Sequence, residues 1–221
     1  DPDKTFDINY LGRTRVAKLS KKFGVKRYIL ASSASVYGFQ ENIVNEESTT
    51  NPLTTYSKSA QLAELDILPL DDDDFTVTIL RFGTLFGVSP RMRFDLGTNA
   101  MTHSLFETGE IMVDGDGKQK RAVLHVKDAS RVYQTVIDSS EEKVKKQIFN
   151  AGSDDLSYDI NQVAQQIGES SGKPFKINHR GTNDLRSYTA SFAKIKDTLN
   201  FSPQYSVKDG VNEILQGLDS G

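Results

Sequence analysis

At 221 residues, with 37% hydrophobic and 26% charged side chains, the chain is long enough for one large or two small globular domains. A formal net charge of -3, from 27 Lys and Arg against 30 Asp and Glu, gives no general electrostatic attraction to nucleic acid or to an anionic membrane. No apolar run approaches bilayer length and no charged-then-apolar leader opens the chain, zero cysteines exclude disulfides and thiolate metal ligands, and only three histidines argue against a metal-centred mechanism; a cytoplasmic protein with no metal, no nucleic-acid partner and no membrane partner is expected.

Helices and strands alternate along the chain. Phe6, Ile8, Leu11, Val16 and Leu19 recur at helical spacing within Asp3 to Phe23, and Gly24 is a suitable C-cap. Arg27 to Ala31 is apolar without alternation, which predicts a strand buried on both faces of a parallel sheet. A polar loop, Phe39 to Thr55, leads to a helix from Tyr56 to Leu68 that Pro69 ends. The four carboxylates Asp71 to Asp74 predict a solvated turn rather than a cation site. Phe75 to Phe82 is a second strand rich in β-branched residues. Beyond Pro90 the spacing predicts a helix at 99–107, strands at 111–113 and 122–126, a helix at 127–137 and a strand at 147–150. The tail is expected to form a helix at 160–170, an extended segment at 175–178 and helices at 191–199 and 207–218. This alternation favours α/β with a doubly wound parallel sheet over separate α and β layers.

Ser32, Ser33 and Ser35 lie just beyond the first strand, at the end where open α/β sheets place their sites, and Tyr56 opens a helix eighteen residues after Gly38. Hydroxyls at a strand end with a phenol on the next helix suggest proton transfer. Taken with Val36-Tyr37-Gly38 and Ser57-Lys58-Ser59, these residues resemble the extended short-chain dehydrogenase/reductase family, especially its NAD-dependent nucleotide-sugar epimerases and dehydratases. The resemblance implies a partial Rossmann sheet with a smaller C-terminal substrate-binding α/β domain. The cofactor half would be residues 1–90 with part of 118–152, and the nucleotide-sugar half residues 91–117 and 153–221.

It further implies NAD as cofactor, with Ser33 and Tyr56 catalytic and Ala31, Ser32, Tyr56, Phe82, Gly83 and Thr84 against the cofactor. Ser33, Ser35, Asn99, Arg121, Asp184 and Arg186 would contact the nucleotide-sugar substrate. Within the family a lysine follows the tyrosine by four residues; here that position is Ala60, a natural loss or an engineered substitution. Lys58 does not replace it, because residues two apart on a helix point in nearly opposite directions. Dehydratases carry an Asp-Glu pair after the serine, where this chain has Ala34 and Ser35, so epimerisation is favoured over water elimination. A 4-keto-sugar reductase or dehydratase of the same family and a catalytically silent nucleotide-sugar-binding protein remain as alternatives.

No glycine-rich phosphate loop occurs; Gly115-Asp116-Gly117 has two glycines and no following helix signal. The resemblance places two or more strand-helix units, about 70 residues, ahead of Phe6. It also implies a homodimer through helices 5–23 and 56–68, with Leu62, Leu65 and Ile67 available either for that interface or for the core. His125 and Tyr37 are expected to be structural. The family arginine three residues before Asp184 is Gly181 here, with Arg180 or Arg186 as its stand-in.

Overall fold

The computed structural model describes residues 1–181 and 186–220. Asp1 caps the first helix by accepting the Lys4 N–H at 3.0 Å, and Pro2 occupies its first position, giving α1 (Pro2–Phe6). The expected single helix is interrupted: Asp7–Gly12 widens into a π-helical turn before α2 (Arg13–Lys22) resumes. Such turns are rare and concentrate at functional sites. After Gly24, at φ 76°, the chain enters β1 (Arg27–Ser33).

Ala34–Tyr37 makes a tight 3-10 turn, and β2 (Phe39–Val44) follows where the polar composition predicted only loop. The reason is tertiary. This segment pairs in parallel with residues 187–190, more than 140 positions away, and no local signal carries that pairing. Thr54 and Ser57 form a reciprocal capping box at the start of α3 (Thr55–Ile67), and Pro69 lies just past its end. Next come β3 (Thr76–Phe82), buried at every position, and β4 (Thr84–Phe86). The carboxylates between α3 and β3 form the expected turn. Asp72 pairs with Lys21 at 2.6 Å, Asp74 with Lys26 at 2.9 Å and Asp73 with Lys145 at 3.1 Å.

The remaining elements are α4 (Gly97–Thr108), β5 (Glu110–Asp114), β6 (Lys120–His125), α5 (Val126–Asp138), the short α6 (Glu141–Val144) and β7 (Gln147–Ala151). They continue with β8 (Ser157–Asp159), α7 (Ile160–Ser171), β9 (Lys176–Arg180), β10 (Ser187–Ala190), α8 (Ala193–Leu199) and α9 (Val207–Ser220). The Gly115-Asp116-Gly117 segment is a turn between β5 and β6 and opens no helix.

The central sheet has the order β1-β3-β7, all parallel, with Leu30 opposite Ile79 and Ser33 opposite Phe82. Separate pairings join β4, β6 and β8, β5 with β9, and β2 with β10. Ala17, Ala63 and Ile67 pack with Phe75, Val77 and Ile79 on the α1–α3 side, while the main core runs from Val36 and Leu80 through Phe149 to Phe192 and Val211. Of the leucine and isoleucine positions on α3, Ile67 is buried in the core, whereas Leu65 is 63% exposed and takes no part in it. Among the described residues no helix is long and apolar enough to cross a membrane.

Gly38 is the conformational hinge between the serine turn and β2. Its φ of 68° and ψ of -120° are accessible in practice only to glycine, and a Cβ there would lie 1.9 Å from the Asn51 carbonyl oxygen. Gly38→Ala is therefore expected to destabilise the fold by about 2–3 kcal/mol, read as a lower urea midpoint. An unchanged midpoint would contradict this account of the turn.

Candidate active site

The C-terminal ends of β1 and β3 open into a cleft of about 830 Å³. Its wall includes Ala31, Ser32, Ser33 and Ser35 from β1 and the turn after it, Tyr56 from α3, and Phe82, Gly83 and Thr84 at the end of β3. Asn99 of α4, Arg121 of β6, and Arg186 also belong to it. Apart from Ala60 and Asp184, every residue singled out from the sequence thus faces one cavity. Asp184 lies outside the described residues.

The Ser33 Oγ accepts two hydrogen bonds, from the Ser35 N–H at 3.2 Å and from the Ser35 hydroxyl at 2.9 Å. Both are accepted, so the Ser33 O–H remains available to donate into the cleft. Tyr56, on the first turn of α3, is 39% exposed and presents its ring to the cavity. Ser32 departs from expectation: although it lines the cleft, its hydroxyl turns inward and donates to Glu64 Oε1. Ala60 also departs. It is fully buried in the main core and does not line the cleft, so its methyl group serves packing alone. Lys58 is exposed on the other side of the helix.

Beneath the hydroxyls lies a buried ion pair that the sequence did not disclose as one. Arg81 Nη2 donates to Glu64 Oε2 at 2.6 Å and its Nε to Oε1 at 3.0 Å, with both side chains only 5% exposed. Burial opposes the Arg81 charge, but Glu64 outweighs it and holds the guanidinium above its ordinary range. Arg81 Nη1 also donates to the Tyr37 oxygen at 3.0 Å, and that oxygen lies 2.8 Å from Asn150 Oδ1. Tyr37 is therefore a structural phenol, pushed up by burial against the pull of Arg81. The sequence signal was an arginine inside an otherwise apolar, β-branched strand. Glu64→Ala, which leaves Arg81 buried and uncompensated, is expected to cost about 3–5 kcal/mol in urea unfolding. Glu64→Leu with Arg81→Met should recover most of that loss; a neutral single variant would contradict the assignment.

The wall of the cleft is rich in arginine. Arg93 grips Asp95 through two contacts of 2.8 Å, and this partner holds the Asp95 carboxyl at about 2. The Arg93 guanidinium is itself raised, chiefly by Asp95 and in part by the nearby Tyr56. Arg180 donates to Asp114 Oδ1. Arg121 Nη1 donates to the carbonyls of Lys120 at 2.8 Å and Arg186 at 2.5 Å. The N-terminus of α4 lines this wall without a side-chain cap: Leu96 offers none, and the Thr98 hydroxyl is buried with no partner among the described residues. Asn99 Oδ1 accepts the Gly87 N–H at 3.1 Å. An uncapped helix N-terminus beside guanidinium groups is chemically suited to an anion.

His125 is structural, as the sequence led us to expect. Its Nδ1 accepts the Lys127 N–H at 3.1 Å, its ring stacks on Tyr205 at 4.8 Å, and its Nε2 faces Glu213 Oε2 at 3.3 Å. Burial pushes its pKa down, with Lys127 aiding and Glu213 and Asp128 opposing. The native imidazole thus resists protonation, whereas the unfolded one titrates near 6.5. Stability is unaffected above that value and falls as the pH drops below it. Urea unfolding between pH 7.5 and 5.5 should show a steeper loss in the parent than in His125→Asn; equal slopes would contradict this.

A model of the "NAD dependent epimerase/dehydratase family" matches residues 1–152. The chain is 28% identical over 218 residues to UDP-glucuronate 4-epimerase of Thermodesulfobacterium geofontis, covering 95% of this chain and 64% of that protein. It is also 28% identical over 227 residues to UDP-N-acetyl-alpha-D-glucosaminuronate decarboxylase of Bacillus cytotoxicus, covering 95% and 68%. This chain therefore spans just under two thirds of the first of these relatives. In fold it is similar to MoeE5 in complex with UDP-glucose and NAD, with TM-score 0.82, 25% identity and coverage of 96% of this chain and 71% of that one. UDP-glucose 4-epimerase of Thermotoga maritima gives TM-score 0.86, 21% identity and coverage of 100% and 72%. With its strand-end serine, its helix-borne tyrosine and a match over more than half its length, the chain belongs to the NAD-dependent epimerase/dehydratase family.

Proposed function

We propose that the protein carrying this chain epimerises a nucleotide-activated sugar, of the UDP-hexose or UDP-hexuronate class, by transient oxidation at C4. The observation that carries this reading is that one cleft is lined both by a donor serine and an exposed tyrosine and by the uncapped N-terminus of α4 with Asn99, Arg121 and Arg186. Arginine forks and helix N–H groups suit a diphosphate. In this reading the sugar lies between Ser33 and Tyr56.

The residues at the strand ends fit the nicotinamide half of NAD. Phe82, Gly83 and Thr84 offer a ring and close backbone, and Arg13, whose Nη1 is buried and finds no acceptor among the described residues, lines the same cleft. When bound, NAD supplies the hydride acceptor for sugar C4. Tyr56 removes the proton from the 4-hydroxyl, while Ser33 donates a hydrogen bond to the same oxygen as its charge grows. Once the 4-keto sugar has turned to offer its other face, Tyr56 returns the proton to O4 as C4 takes back the hydride from the reduced cofactor. In this reading residues 1–90 with part of 118–152 serve the cofactor, residues 91–117 and 153–221 serve the nucleotide sugar, and Asp184 belongs to the ribose contact. Exposed Phe6, Ile8, Leu11, Val16, Leu19 and Leu65 support a homodimer through helices 5–23 and 56–68.

A free phenol titrates near 10, so a tyrosine base at neutral pH gains from a nearby cation, and each unit of pKa is worth about 1.4 kcal/mol. Ala60→Lys, assayed in a protein that carries the dinucleotide-binding half, is expected to raise turnover about tenfold; an unchanged rate would refute the placement of Tyr56 as base. The buried Ala60 favours the silent nucleotide-sugar binder as second reading. Calorimetry of this chain with UDP-glucuronate in the absence of NAD tests the shared premise: saturable binding that weakens in Arg121→Ala supports it, and no binding overturns it.

A further inference from the structure

Position 60 leaves the Tyr56 face of α3 without a cation, yet the neighbouring helical arm supplies one. Arg13 emerges from the π-helical turn Asp7–Gly12, against which α3 packs. Its Nη2 donates to Asn9 Oδ1 at 3.2 Å, within that turn. Its Nη1 is buried and has no acceptor among the described residues. An N–H in that position costs free energy until it meets an oxygen, so the group is poised for one that arrives with a ligand. Arg13 lines the same cleft as Ala31, Ser32, Ser33, Tyr56 and Phe82. Its charge acts on buried phenols nearby: burial raises Tyr28 and Tyr133, Arg13 opposes that rise in both, and the Tyr133 ring packs on Phe82 of the cleft wall at 5.6 Å. Arg93, the other guanidinium near Tyr56, is held by two bonds to Asp95.

We infer that Arg13 supplies the positive charge missing at Ala60, with its Nη1 donating to a ribose or phosphate oxygen of the nicotinamide nucleotide. The inference rests on the proposed function for the identity of the ligand, and its geometry is the chain's own. Asn9 holds one side of the guanidinium, and the other side is the one left without an acceptor among the described residues, in a residue that borders the cleft. Arginine fits this role because its planar fork holds two partners at a fixed angle and stays charged at any working pH. Its charge reaches the reacting end from the helical arm, where a lysine at position 60 would reach it along α3.

The test is calorimetric titration of the chain with nicotinamide mononucleotide and, separately, nicotinamide riboside, with UDP-glucuronate as the parallel ligand. Arg13→Gln is expected to weaken the mononucleotide by at least about tenfold and to leave UDP-glucuronate unchanged. Arg13→Lys should retain most of the affinity. A loss confined to the mononucleotide identifies the phosphate as the partner; an equal loss for the riboside identifies the ribose. Equal mononucleotide affinity in parent and Arg13→Gln overturns the inference, as does UDP-glucuronate binding without any mononucleotide binding. Failure of both ligands overturns the proposed function with it. Should Arg13→Gln not fold, phenylglyoxal modification of Arg13 in the parent gives the answer: protection by the mononucleotide but not by UDP-glucuronate supports the inference, and no protection contradicts it.

Discussion

Arg81 and Glu64 are joined where no water can replace either partner. Two charges at 2.6 Å with 5% exposure are tolerated only if nearly every remaining donor and lone pair is satisfied, and the surrounding residues are arranged to do that. Ser32 on β1 donates to Glu64, and Tyr37 after β1 accepts from Arg81. Tyr37 in turn meets Asn150 on β7, whose Nδ2 donates to the Ser191 carbonyl at 3.0 Å and whose N–H is accepted by Glu46 Oε1 at 2.7 Å. One ion pair therefore ties all three strands of the central sheet to α3. Ser33 follows Ser32 directly and Tyr56 lies two turns before Glu64 on the same helix, so the spacing of the two candidate catalytic hydroxyls is inherited from this buried pair.

The chemistry of the cleft separates into two regimes. At the strand ends the useful groups are neutral hydroxyls held by short-range bonds, with Ser33 left a donor because both bonds it receives are accepted ones. Elsewhere on the wall the groups are guanidinium ions and a helix terminus, suited to charge rather than to proton transfer. The ordinary link between regimes in this family, a lysine beside the tyrosine, is replaced by a buried alanine. Arg13, anchored on a π-helical turn by Asn9, is placed to carry the charge from a different element.

How much of this was legible in the sequence follows from how local each signal is. β1, β3 and α3 were readable because apolar runs and Pro69 act within a few residues. The serine-tyrosine pair was readable because both fall at fixed places relative to those elements. β2 was not, since its partner β10 lies across most of the chain and its own composition is that of a loop. The inward turn of Ser32 and the Arg81–Glu64 pair depend on which side chains meet across β1, β3 and α3. A sequence states that a strand contains an arginine but not what faces it. The π-helical turn was hidden because its apolar spacing is indistinguishable from that of a continuous helix, and with it went the position of Arg13.

The central claim is that this cleft receives a nucleotide sugar with the sugar at the hydroxyl end. The most direct measurement is a crystal structure of the chain with UDP-glucuronic acid bound. The account predicts the diphosphate at the N-terminus of α4 within reach of Asn99 and Arg121, and the C4 hydroxyl between Ser33 Oγ and the Tyr56 phenol. A ligand bound in the reverse sense, or with C4 remote from both hydroxyls, would contradict it.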